Sequence, residues 1–424
     1  MVAGTFGCVL AVRHLHQSVR GEVGSVGSYL WFAAVLAVVA LAIGLPDYPQ
    51  DWQPAIFSSI LAAVIGSALG AVIQLITTGL LPRFVMLLVP VILVIWYLLV
   101  WRVTFRSQYK VRITERVLCI ADENDATRIR HDAAQTFPRP EVLFTLVSAI
   151  TPAEVPRGAL DSMVTSHDVT LLVLGTVAHT DEVLLSEVEK LHGKGLRVRT
   201  LEQFYDGWFG KLALSEVSRM ALFTDIGEIH DPQYAYLKRL IDMMLASIGV
   251  VILVLITPFV LLGNLIANRG PLLYSQQRVG QGGKPFRILK FRTMRPDGGN
   301  ASEWTTVDDP RITRFGRLLR RLHLDELPQM VNVFEGVLSI VGPRPEQVAY
   351  VEALDQSLPH YHLRHLVKPG LTGWAQVKWR YGATEQEAWE KLQYDLYYIR
   401  HHSLTFDLKV ISRTVRQMLF TGGR

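Results

Sequence analysis

The chain has 424 residues, of which 50% are hydrophobic and only 19% charged; soluble domains carry about 25% charged residues, so a disordered polar chain is excluded and membrane segments are expected. Its two cysteines, Cys8 and Cys119, lie far apart without metal-ligand spacing, which excludes a small disulfide scaffold and reads most simply as a reducing compartment without structural zinc. The net charge of +5 is uneven: residues 238–424 hold 25 Lys and Arg against 16 Asp and Glu, net +9, whereas 103–237 hold 14 against 19, net −5. The positive excess calls for an anionic partner, lipid headgroups or a phosphorylated substrate. Nucleic acid is not expected, because the basic residues alternate with apolar, membrane-like stretches.

Three charge-free apolar runs open the chain, at 29–45, 55–81 and 84–101. A spanning helix needs roughly 17–25 such residues, so all three are long enough. The first starts late and no clear cleavage site follows it, unlike a signal peptide. Arg102, Arg106, Lys110, Arg112 and Arg116 follow the third run with Glu115 as the accompanying acid, which places residue 103 onward in the cytoplasm. Three spans would then put the N-terminus outside, against Arg13 and Arg20, while the 46–54 loop carries only Asp47 and Asp51. Either a further segment lies within 1–28, or one run does not span.

A fourth apolar run covers 243–268, with Lys238 and Arg239 before it and Arg269 after it. Thr257 and Pro258 interrupt it, and proline kinks or breaks a helix. Basic residues at both ends suit a helix that dips into the membrane and returns. A kinked spanning helix is the alternative that the residues alone leave open.

Between residues 103 and 237 the pattern is α/β. RVLCIA (116–121), EVLFTLVS (141–148), VTLLVLG (169–175) and LRVRT (196–200) read as strands, with helical stretches between them that include 181–192. Such alternation predicts a Rossmann-like parallel sheet. A dinucleotide site needs a glycine-rich turn after the first strand. The turn here is ADENDATRIR, without glycine and with Asp122, Glu123 and Asp125. The module is therefore expected to be structural or oligomeric, and a nucleotide-sugar epimerase or dehydratase is disfavoured.

The densest chemistry lies in 271–380. QQRVGQGGKPFRILKFRTMRPD (276–297) places Arg278, Lys284, Lys290, Arg292 and Arg295 around a glycine turn, a pattern that suits phosphate. Over 311–324, Arg314, Arg317, Arg320 and Arg321 fall at helical spacing, and Phe315, Leu318, Leu319 and Leu322 are expected on the other face. This is a basic amphipathic helix of the interfacial type. Asp325 and Glu326 follow, and Pro328 marks a new helix with Asp325 at or near its N-cap. Two adjacent carboxylates beside arginines suit a metal–phosphate site: one carboxylate can attack phosphorus and its neighbour can hold Mg²⁺. VGPRPE (341–346) sets Arg344 between Pro343 and Pro345, where a fixed guanidinium suits phosphate. RHLVKPGLTGWAQV (364–377) adds Arg364 and Lys368.

QQRVGQGGKPFRILKFRTM, LDELPQMVNVFEGVLSIVGPRPE, KPGLTGWAQV and YDLYYIRHHSLTFDLKVISRTV together resemble the bacterial sugar transferases, the monotopic phosphoglycosyl transferases also called polyprenyl-phosphate hexose-1-phosphate transferases. The resemblance covers 238–424, and the whole chain is similar to the large members that act in exopolysaccharide synthesis. It implies three regions: N-terminal transmembrane helices (1–102), a Rossmann-like module (103–237), and a re-entrant helix with a mostly helical catalytic domain (238–424). The implied substrates are a UDP-sugar donor and a polyprenyl phosphate acceptor such as undecaprenyl phosphate. The implied reaction has two steps through a covalent phosphosugar–enzyme intermediate, with release of UMP, at the cytoplasmic face of a bacterial inner membrane.

Asp325 matches the family's nucleophile and Glu326 its Mg²⁺ ligand. Arg320 and Arg344 match phosphate- and nucleotide-contacting positions, and Thr257–Pro258 the break in the re-entrant helix. Pro343, Lys290, Arg292, Arg278 and Arg364 complete the expected substrate-binding set. Threonine at 257 departs from the family's usual serine, and large members usually have four N-terminal spans. Large members also imply dimerisation through the Rossmann-like module.

Overall fold

The structure, a computed structural model, describes residues 2–20, 26–42, 52–76, 82–110, 115–135, 144–214, 231–268, 270–295, 311–379 and 384–420. Asp47, Asp51, Arg112 and Arg269, which entered the charge argument, lie outside them. The chain forms two compact units, Met1–Phe209 and Gly210–Arg424.

The first unit opens with four helices, α1 (Val2–Arg20), α2 (Val26–Ala42), α3 (Trp52–Ile76) and α4 (Arg83–Lys110). Each packs on the next, and α1 also packs on α4. Val9 and Val12 of α1, Phe32, Leu36 and Ala40 of α2, Ala62 of α3, and Val85, Val89 and Leu93 of α4 share one buried core. Steps of three and four residues put these on one stripe of each helix. The outer faces are apolar as well, with Val38, Ile65, Leu87, Val91 and Ile95 exposed. Apolar residues on both faces are what lipid surroundings favour. Helix α1 occupies the region where span parity asked for a further segment. Its Thr5 hydroxyl lies 3.3 Å from that of Tyr97.

The module that follows comprises β1 (Glu115–Ile120), α5 (Glu123–Gln135), β2 (Phe144–Ile150), α6 (Leu160–Ser166), β3 (Leu171–Leu174), α7 (Glu182–Gly193), β4 (Arg197–Thr200) and α8 (Leu201–Phe204). All four expected strands form, in the order β2-β1-β3-β4 and all parallel. The central strands are apolar and buried, from Val117 to Ile120 and from Leu171 to Leu174, as a sheet covered on both faces requires. In the ADENDA turn, the Asp122 carboxylate accepts the Asp125 amide at 2.6 Å. The start of α5 is thus capped by the protein's own carboxylate, where a dinucleotide fold would receive phosphate.

The second unit contains α9 (Pro232–Ala267), the hairpin β5 (Leu273–Val279) and β6 (Pro285–Phe291), α10 (Arg314–Arg321), α11 (Gln329–Glu335), β7 (Ser339–Val341), α12 (Val348–Ser357), β8 (Gly370–Thr372), α13 (Trp374–Lys378), α14 (Glu385–His401) and α15 (Leu404–Phe420). Its core gathers Val333, Leu338, Leu354, Trp374, Leu392, Leu396 and Val410, together with Leu212 and Leu214 from upstream of the expected boundary at 238. Strands β7 and β8 pair in parallel, Ser339 opposite Gly370 and Val341 opposite Thr372. A Cβ on Gly342 would come within 2.4 Å of the Lys368 carbonyl oxygen, so the VGPRPE and KPGLTG motifs meet backbone to backbone.

Helix α9 and residues 85–103 of α4 are long and apolar enough to cross a membrane. The expected interruption at Thr257–Pro258 lies inside one continuous helix. The Thr257 hydroxyl donates to the Leu253 carbonyl at 2.7 Å. That carbonyl is one residue before Val254, whose helical donor Pro258 cannot supply.

Candidate active site

Helix α9 carries the site as a rail. At its start, Arg239 donates to the carbonyls of Val333 and Phe334, both at 2.7 Å, placing a cation at the C-terminus of α11, where the helix dipole favours it. Gly249 meets Met330 of α11, and Gly263 meets Phe315 of α10; a Cβ on either glycine would approach the facing side chain to 2.5 Å and 2.2 Å respectively. At its end, Asn268 donates to the Arg292 carbonyl at 2.7 Å and accepts from the Thr313 hydroxyl. Thr313 in turn caps α10 by accepting the Gly316 amide at 2.9 Å. The segment 313–335 therefore runs antiparallel along α9, with its central turn over the middle of that helix. Leu324, Phe315 and Leu319 pack there with Leu253, Ile256 and Val260.

That turn holds the two carboxylates. His323 adopts a left-handed backbone, φ 54°, and ends α10. Leu324–Glu326 then form a single 3-10 turn. The N-cap of α11 is Pro328. Asp325 was expected at or close to that cap; it stands three positions earlier, inside the 3-10 turn that precedes the helix.

The cations arrive from three other elements. Strand β6 delivers Lys290, whose Nζ donates to Glu326 Oε1 at 2.7 Å. The loop after β7 delivers Arg344, with a guanidinium nitrogen 3.5 Å from the same oxygen. Arg320, in the last turn of α10, donates from Nε to the Thr293 hydroxyl at 3.0 Å. Strand β6 is tied to α11 by Asn332, whose amide accepts from Leu289 N and donates to Arg287 O, both at 3.0 Å.

This arrangement drives the two carboxyls apart in acidity. Asp325 is pushed above the ordinary aspartate value by burial and by the neighbouring Glu326 charge, with Lys290, Arg320 and His323 opposing. Burial would also raise Glu326, but Lys290 and Arg344 overcome it and hold the group at about 2. One carboxylate is thus locked as an anion within a cationic clamp, and the other sits beside it as the stronger base.

Of the residues singled out in the sequence, the structure places Lys290, Arg344, Arg320, Asp325 and Glu326 near one another. Three expected contacts have different settings. Arg292, one residue past the end of β6, donates to the Pro271 carbonyl at 2.9 Å and lies over the Tyr274 ring. Arg278 faces the Pro345 carbonyl and Glu346. Arg364 is buried and bonded to Asp395, Tyr361 and the Arg344 carbonyl. Pro343 accepts the Gly370 amide at 2.9 Å. The expected split into a basic and an apolar face of α10 is corrected: Phe315 and Leu319 face the core, while Leu318 and Leu322 are exposed beside Arg314, Arg317 and Arg321, because steps of three and four residues put 314, 317, 318, 321 and 322 on one side.

Sequence reasoning did not single out His323, Thr293, Asn332 or Asp395. His323 alone carried a signal, as a titratable residue two positions from Asp325. Among the described residues, no three His, Cys, Asp or Glu side chains gather as a ready-made metal cage. The adjacent Asp325 and Glu326 nevertheless fit Mg²⁺, which uses one or two carboxylates and fills its remaining positions with water and substrate phosphate.

Residues 233–421 match the family model described as Bacterial sugar transferase. The UDP-glucose:undecaprenyl-phosphate glucose-1-phosphate transferase of Escherichia coli (strain K12) is 44% identical over 185 residues, covering 42% of this chain and 39% of that protein. The UDP-N-acetylgalactosamine-undecaprenyl-phosphate N-acetylgalactosaminephosphotransferase of Aeromonas hydrophila is 38% identical over 192 residues, 44% of this chain and 45% of that protein. The UDP-glucose:undecaprenyl-phosphate glucose-1-phosphate transferase of Caulobacter vibrioides is 41% identical over 191 residues, 43% of this chain and 70% of that protein. The chain thus spans less than half the length of the first two relatives.

Proposed function

The chain belongs to the bacterial sugar transferase family, and from that premise we propose that it moves a sugar 1-phosphate from a UDP-sugar to a polyprenyl phosphate and releases UMP. The observation that carries this reading is the Asp325–Glu326 pair, with its unequal acidities, inside the Lys290–Arg320–Arg344 clamp on an apolar helix.

Asp325 is the nucleophile. Its carboxylate oxygen attacks the phosphorus that bears the sugar, an aspartyl–phosphorus bond forms, and the bond to the UMP oxygen breaks, with the electron pair leaving on UMP. A phosphate oxygen of the lipid then attacks the same phosphorus. The aspartate leaves as a carboxylate, and the product is a polyprenyl diphosphate sugar. Its raised basicity makes Asp325 the better nucleophile of the pair, while Arg320 and Arg344 offset the charge that a diphosphate brings. Glu326 would hold Mg²⁺, which supplies further charge neutralisation on the phosphates when bound.

The acceptor is a lipid, and α9 suits the membrane surface. An α-helix of 36 residues is about 54 Å long, well beyond the roughly 30 Å of a hydrocarbon core. Its start, at Arg239 and Asp242, and its end, at Asn264 and Asn268, are both bonded within the same unit. The opposite face exposes Met244, Ile248, Val251, Leu255, Phe259 and Ile266. These features support a helix that enters one leaflet and keeps both ends on the cytoplasmic side, with Pro258 as the place where proline chemistry would favour a bend. The product would start a repeat unit of an exopolysaccharide.

The test uses the full chain in nanodiscs with undecaprenyl phosphate, Mg²⁺ and a panel of UDP-sugars, reading UMP. Release with one sugar, abolished in Asp325→Asn, is the expected result and names the donor. Release that survives in Asp325→Asn removes the covalent step. Silence across the panel in folded protein removes the activity.

A further inference from the structure

The loop that presents Arg344 is held by its carbonyls. Four successive residues each have a carbonyl oxygen engaged: Pro343 accepts from Gly370 N at 2.9 Å, Arg344 from Arg364 at 2.9 Å, Pro345 from Arg278 at 3.3 Å, and Glu346 from Val279 N at 3.0 Å. Two donors are backbone amides of the neighbouring strands. The other two are arginines that the sequence had marked for the substrate.

Arg364 is the more enclosed of the two, with a side chain 6% exposed against 17% for Arg278. One guanidinium nitrogen donates to both Asp395 Oδ2 at 2.7 Å and the Arg344 carbonyl at 2.9 Å; the other donates to the Tyr361 hydroxyl at 2.6 Å. Asp395 is itself buried on α14. A planar, permanently charged fork can hold three such partners in fixed directions, which a lysine ammonium cannot reproduce. The buried Asp395 charge holds Arg364, and Arg364 holds the main chain of the residue that reaches Glu326.

We propose that Arg364, anchored by Asp395 and Tyr361, is a positioning residue that fixes the Arg344 loop over the catalytic carboxylates and makes no contact of its own with substrate. The proposal deepens the transferase reading and rests on it for the assay. Misplacing a catalytic element by about 1 Å costs on the order of 100-fold. Arg364→Lys is therefore expected to lower kcat/KM for UMP release on that order in a folded protein.

The test is a double-mutant cycle in nanodiscs with Arg364→Lys, Arg344→Gln and the pair, joined to hydrogen–deuterium exchange of residues 342–347. If Arg364 acts through Arg344, the pair loses no more activity than Arg344→Gln alone, and Arg364→Lys speeds exchange in 342–347. Additive losses would overturn the proposal, because Arg364 would then have its own contact with substrate. Full activity in Arg364→Lys, or unchanged exchange at 342–347, would overturn it too. Should Arg364→Lys fail to fold, Asp395→Asn, which loosens the anchor and keeps the arginine, is read in the same two ways. The exchange measurement needs no turnover, so a wild-type chain that releases no UMP removes the transferase reading and still leaves the positioning role decided.

Discussion

Lys290 and Glu326, on β6 and on the turn between α10 and α11, are joined by a hydrogen-bonded ion pair of 2.7 Å. The ammonium keeps Glu326 ionised and also lowers the basicity of Asp325, which the Glu326 charge raises. On the proposed mechanism the acid limb of UMP release should follow Asp325 and lie above the ordinary aspartate range. Glu326→Gln removes the repelling charge and should move the limb to lower pH. Lys290→Met removes the balancing cation and should move it to higher pH. Single-turnover UMP release against pH reads both; shifts of equal sign in the two variants would refute the assignment.

Glu326 also links stability to pH. Its carboxyl is held at about 2 in the folded chain against an ordinary 4.5. A depressed folded value means that the ionised group favours the fold. This contribution is fully present above about 4.5 and is lost as the pH falls toward about 2. Thermal unfolding of wild type and Glu326→Gln should differ most above that window and converge below it. A gap that widens on acidification would contradict the sign.

Much of this was legible in the sequence because it is periodic or local. Alternation predicted the four strands of the parallel sheet, and apolar runs predicted three of the four N-terminal helices. The fourth, α1, was hidden because its apolar face is one stripe, around Val9 and Val12, and Gly4, Thr5, Arg13 and His14 dilute the run. The carboxylate pair and its clamp were legible as motifs. What could not be read is the direction of a side chain once a strand has ended or a helix has turned. Lys290 and Arg292 look equivalent in sequence, yet only Lys290 lies within β6. Arg344 and Arg364 look equivalent too, and only packing against Asp395 separates the one that reaches Glu326 from the one that holds the loop.

Asn332 offers a test of the tie between β6 and α11. Its buried amide satisfies one backbone donor and one backbone acceptor of the strand. Asn332→Leu leaves both part-buried groups unpaired, and a fully buried orphan would cost about 1–3 kcal/mol, so the loss should fall toward the lower end of that range. A clear drop in thermal midpoint is expected. Asn332→Asp, which retains the acceptor, should fall between leucine and wild type. Equal loss in the two variants would mean that the Leu289 bond contributes nothing.

Gly263 and Phe315 provide a test of the rail. An alanine Cβ at 263 would lie 2.2 Å from the ring of Phe315, so the ring, or α10 with it, has to move. Overpacking of this kind costs about 1–3 kcal/mol. Because α10 leads directly into the turn that holds Asp325, Gly263→Ala should lower UMP release as well as the thermal midpoint. Adding Phe315→Leu makes room on the facing helix and should restore much of both. Contacting residues are where such non-additive repair is expected. If Gly263→Ala leaves stability and activity untouched, the contact does not set the place of α10. If Phe315→Leu recovers stability and not activity, packing is repaired and the turn stays displaced, and exchange measurements over 322–328 would then show faster exchange than in wild type.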